Sequence, residues 1–88
     1  MPELTKAQKA AKAGIKDMLM QVIIGIKTNK DAYPKERIFS ILNDIEESIK
    51  EYDLDDNFLA DYVEKTYDAL IKKRRYLDAA AIAKKYGI

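Results

Sequence analysis

Apolar residues recur along most of this chain at steps of three and four, the spacing that collects side chains on one face of an α-helix. In the first segment Ala11, Ile15, Leu19, Val22 and Ile26 form such a stripe. Thr5 and Gln8 stand ahead of it with the spacing of a capping box, in which each side chain satisfies a free amide at the helix start, so a helix over residues 5–29 is expected. Asn29 to Tyr33 reads as a turn. Pro34 suits the first position of a second helix, where its missing amide donor costs nothing. That helix is expected over 34–52, with Ile38, Leu42, Ile45, Ile49 and Tyr52 facing in and Asp44, Glu47 and Glu51 facing out.

A polar break over 53–57 places Asp55 or Asp56 to cap a third helix, expected over 56–74. Its stripe is Leu59, Val63, Thr66 and Leu70, bordered by Tyr62 and Tyr67. A short fourth helix is expected over 77–86, where Ala79, Ala80 and Ala83 offer little bulk and allow close approach to a neighbouring backbone. Gly87 then suits a left-handed C′ position, with Ile88 as the closing apolar residue. Lys72 to Tyr76 contains no Gly or Pro, so a continuous third and fourth helix stays open beside the favoured break. No stretch alternates apolar and polar residues between turn signals, which leaves strands nowhere to start. The fold class read from this pattern is all-α: one domain over 1–88, a small three- to four-helix bundle, with two helical hairpins as one arrangement and a short C-terminal helix.

Composition narrows the chemistry. The chain has 88 residues, 48% hydrophobic and 35% charged, the balance of a folded domain rather than a disordered one. It has no Cys and no His, which removes disulfides, thiolate nucleophiles, the commonest zinc ligand and the commonest general base. The longest apolar run, Met18 to Ile26, is about half the ~20 residues a membrane-spanning helix needs. It follows Asp17 and ends at Lys27 with no small-residue cleavage site, so a secretory signal is not expected. The expectations are a cytoplasmic, non-enzymatic protein with no cofactor, no metal and no membrane partner.

Two local patterns invite a sharper reading. Asp53, Asp55, Asn57, Asp61 and Glu64 match ligand positions of a calcium-binding EF-hand loop, but Phe58 stands where that loop needs Gly to turn, and Asp61 and Glu64 fall inside the expected third helix. Helix capping by Asp55 or Asp56 explains them better. Tyr76, Leu77, Asp78, Ala79, Ala80 and Ala83 resemble the start of the second helix in tetratricopeptide-like hairpins. The Gly and Trp positions of that family's first helix are unmatched in Tyr62 to Leu70, and no 34-residue period is present, so the likeness implies a helical hairpin and no family assignment.

Two surfaces are candidates for function. Met18 to Ile26 is apolar nearly all round, and Met20 and Ile24 fall away from the core stripe, among Lys9, Lys16 and Lys27. Either the first helix is central and covered by two layers, or this stripe docks a protein, with Met20 and Ile24 as anchors and Lys16 and Lys27 at the rim; an acidic amphipathic partner or a second copy of the chain would suit it. The other candidate rests on charge. The net of +1 hides a basic start, an acidic middle and a basic end. Lys72, Lys73, Arg74 and Arg75, with Tyr76 and then Lys84 and Lys85, form the set expected to grip a nucleic acid if one is the partner.

Overall fold

A computed structural model of the chain describes residues 3–28 and 33–88. It contains four helices, α1 (Lys6–Thr28), α2 (Lys35–Glu51), α3 (Asn57–Lys72) and α4 (Tyr76–Tyr86), and no strand among the described residues. The all-α bundle expected from periodicity is the observed fold, and the third and fourth helices are separate. Of the first turn, residues 29–32 lie outside the described residues.

The helices alternate in direction. Gln8 near the start of α1 donates from its side-chain amide to the carbonyls of Tyr52 and Asp53 just past the end of α2, at 3.1 and 3.4 Å. The α3 residue Phe58 lies beneath the ammonium groups of Lys12 and Lys16, so α3 runs alongside α1 in the same sense. Tyr86, at the end of α4, returns to Glu46 of α2, donating its phenol proton at 2.9 Å. Four rods therefore close around one interior, about 42 Å long and 25 by 19 Å across.

That interior is the set of stripes read from the sequence. Ile15, Leu19, Val22 and Ile26 from α1, Ile38, Leu42, Ile45 and Ile49 from α2, Leu59, Val63, Thr66 and Leu70 from α3, and Ala79 and Ile82 from α4 are all buried. Tyr52 departs from expectation: it ends α2 as the C-cap and its side chain is exposed, because the chain leaves the helical path there. Ala80 also faces solvent, one 100° step from buried Ala79. Thr66, the one buried polar residue among those described, donates its hydroxyl to the carbonyl of Tyr62 at 2.8 Å, and the one buried side-chain polar atom left without a partner among them is Nη1 of Arg75, at the turn between α3 and α4.

Local sequence accounts for most of the helix ends. Thr5 and Gln8 form the reciprocal capping box, at 3.0 and 3.1 Å. Asp55 accepts the Asn57 amide at 2.9 Å, so it is Asp55, rather than the N-cap Asp56, whose side chain satisfies the start of α3. Pro34 is the N-cap of α2 and not its first helical residue; its ψ of 160° is extended while its fixed φ of −65° fits either place. The last three helix ends share one device. The amides of Leu54, Arg75 and Ile88 reach back five residues to Ile49, Leu70 and Ala83, with Asp53, Arg74 and Gly87 in the left-handed region at φ 52°, 60° and 68°. These are Schellman stops, and only the last uses glycine. Arg74 in that role ends α3 at Lys72 instead of residue 74.

Gly25 is needed for a different reason. A Cβ there would overlap the ring of Tyr33, which packs on α1 and carries the guanidinium of Arg37 over its face at 4.7 Å. At Gly14 a Cβ meets nothing. Gly14→Ala should therefore stabilise the fold by about 0.5–1 kcal/mol through helix propensity, whereas Gly25→Ala should destabilise it by roughly 1 kcal/mol or more through overpacking. Thermal melts should rank Gly14→Ala above the native chain and Gly25→Ala below it; equal gains at both sites would contradict the Tyr33 packing.

Candidate functional site

The outer face of α1 is open. Met20 and Ile24 are 42% and 52% exposed, so the two-layer burial weighed for this helix is not what the fold does. The reason is geometric: α1 packs on α2 and α3, and 100° steps send residues 20 and 24 away from both. Ile23, in the same apolar run, turns inward and is buried. Lys27 is exposed beside the stripe. Lys16 is half-buried and leans toward α3, its ammonium 5.7 Å from the Phe58 ring centroid, so it borders the stripe on one side only. Met18, 40% exposed, lies on the α2 side, at the edge of a shallow recess of about 320 Å³ lined by Ala7, Ala10, Ala11, Gly14 and Tyr52. Asp17 and Gln21, both exposed and hydrogen-bonded to each other at 2.8 Å, separate Met18 from the Met20–Ile24 stripe.

The basic set splits. Arg75 is largely buried and forms two hydrogen bonds to one carboxylate oxygen of Asp78, at 3.0 and 2.8 Å, which fixes it across the first turn of α4. Lys85 donates to Asn43 at 2.6 Å and lies over Phe39, with Glu46 at 4.0 Å. Lys84 and Lys85 are at the far end of α4, roughly 12–14 Å along the axis from Tyr76 at 1.5 Å per residue. Lys72, Lys73 and Arg74 remain exposed together, beside Tyr76 at 58% exposure. Leu77, next to them, is 86% exposed, a feature that periodicity alone does not reveal.

Where α2 and α4 meet, Tyr86 sits half-buried against Glu46, and burial, reinforced by the hydrogen bond and the nearby carboxylate charge, pushes its phenol well above the ordinary value near 10. The folded state therefore holds this proton after the unfolded chain has released it, so stability falls as pH rises past about 10. Melts of Tyr86→Phe between pH 9 and 11 should show a shallower decline than the native chain; parallel curves would mean that Tyr86 does not contribute. The phenol is a structural tie and is not placed for proton transfer, since its partner is committed to it and the recess beside it, about 270 Å³ and lined by Leu59, Val63 and Ile88 among others, is largely apolar.

Asp61 and Glu64 lie within α3, as the capping interpretation of the EF-hand-like pattern requires. Among the described residues, no three carboxylates converge as a metal site would need. No helix among them is long and apolar enough to cross a membrane. Comparison with known proteins finds no matching family model, no matching curated protein and no matching solved structure.

Proposed function

We propose that this chain is a non-enzymatic protein-interaction domain, a small accessory subunit that captures an acidic amphipathic helix on the outer face of α1. The observation that carries the reading is the exposure of Met20 and Ile24 one turn apart, away from every packed neighbour. Scattered apolar residues on a surface mean little, but here Met20 and Ile24 share one face of a single helix with Lys27 beside them. Methionine adapts its shape to a partner, and a lysine border favours carboxylates opposite it. An α1-to-α1 pairing of two copies would set lysines against lysines. A second copy would instead have to present the outer face of α2, where Asp44, Glu47 and Glu51 are exposed.

The test combines mass in solution with cross-linking in the native host. Met20→Asp with Ile24→Asp should leave folding stability within about 0.5 kcal/mol, because both sites are on the surface, while removing the cross-links that the native chain forms through α1. A native chain that is monomeric and forms the same cross-links as the double variant would end this reading. The nucleic-acid alternative retains Lys72, Lys73, Arg74 and Tyr76 and requires retention of RNA or DNA that falls steeply with salt.

A further inference from the structure

Alternating helices bring together charges that the sequence keeps apart. The C-terminal turns of α1 and α3 and the N-terminal turns of α2 and α4 share one end of the bundle. Lys27, Lys35, Arg37, Lys72, Lys73 and Arg74 are all exposed there. The carboxylates of those turns are Glu36 and Asp78, and Asp78 is bound to Arg75. Of the exposed acids of α2 and α3, Asp68 stands one turn below Lys72, while Asp44, Glu47, Asp61 and Glu64 stand at least two turns further down. The same end projects Leu77, the most exposed of the large apolar residues described, with Tyr76 before it.

We propose that this end rests on an anionic lipid surface, with Leu77 inserted beneath the headgroups, Tyr76 at headgroup level and Lys27, Lys35, Lys72, Lys73 and Arg74 over the lipid phosphates. Attachment is peripheral and upright. Charge complementarity selects the occupant, since basic residues close to an anionic membrane are each drawn to it, while the acidic flanks of α2 and α3 oppose a side-on approach. Leu77 decides between polyanions. An aliphatic side chain left almost wholly in water gains from the acyl boundary, and a tyrosine ring is suited to the interface above it. A nucleic acid offers Leu77 little, and the cations crown a blunt end instead of lining a groove along which a strand could run.

Co-sedimentation with phosphatidylcholine vesicles, with and without phosphatidylglycerol, tests the proposal at low and high salt. The native chain should bind only the vesicles containing phosphatidylglycerol and should be released by salt. Leu77→Ser should weaken binding about tenfold, the loss expected for one buried leucine. Lys72→Gln, Lys73→Gln and Arg74→Asn together should weaken it about 100-fold at roughly fivefold per cation; Asn is chosen because it tolerates the left-handed backbone of Arg74. The chain has no Trp, so Leu77→Trp supplies an insertion signal free of background: its emission should shift to the blue on phosphatidylglycerol vesicles alone. No sedimentation at low salt, binding without a blue shift, or retention of labelled RNA by a chain that ignores the vesicles would each overturn the proposal, the last in favour of a nucleic-acid partner.

Discussion

Leu70→Ala is expected to cost about 3 kcal/mol and to lower the melting midpoint by roughly 12–24 °C. Leu70 is fully buried and lies on α3, the helix that packs against both α1 and α4. Truncation removes apolar contact area and leaves a hole, and the hole persists because the surrounding wall is made of rigid helices. A domain of this length is held by only about 4–13 kcal/mol in total, so this single change consumes a large share. Calorimetry or a urea titration measures it directly. A loss below about 1 kcal/mol would mean that the interior collapses around the gap, which β-branched Ile26, Val63 and Ile82 are poorly suited to do.

Ala79→Leu should destabilise by about 2–3 kcal/mol, and it should do so in one place. Ala79 is fully buried on α4, which packs against α3. Three added carbons have no space between the two helices. The helix that yields should be α4, the shortest of the four and the last in the chain, taking the Tyr86–Glu46 bond with it. Amide exchange therefore should accelerate over residues 76–86 before it does so in α1 or α2. Uniform acceleration in all four helices would show instead that the bundle opens only as a unit.

The inner faces were legible because helix periodicity operates over four residues and needs no knowledge of the partner. Ile38, Leu42, Ile45 and Ile49 are the clearest example, and all are buried. The Thr5–Gln8 box was legible for the same reason, being complete within four residues. The second task of Gln8, holding the carbonyls of Tyr52 and Asp53, spans more than forty residues and has no local signature. Lys85 shows the same limit: its partners Asn43 and Glu46 lie on another helix, and without them it reads as one of six free cations near the C-terminus. The end of α3 was hidden by residue type, since Arg74 occupies a backbone region where glycine is the usual signal. Met20 and Ile24 were correctly singled out as surplus to one core face, but whether anything covered them depended on which two helices α1 would choose to pack against.

The way the helices stop has a consequence for how this molecule can vary. At Asp53 and Arg74 the reversal is written in main-chain hydrogen bonds, with the side chain left outside them. Positions of that kind accept a change of charge among residues that tolerate the left-handed backbone, Asn and Gly foremost, and resist β-branched side chains, without redirecting the rods on either side. Both tips of the bundle are thus adjustable independently of the oily centre, and new surface properties can be installed at the corners while the frame stays as it is.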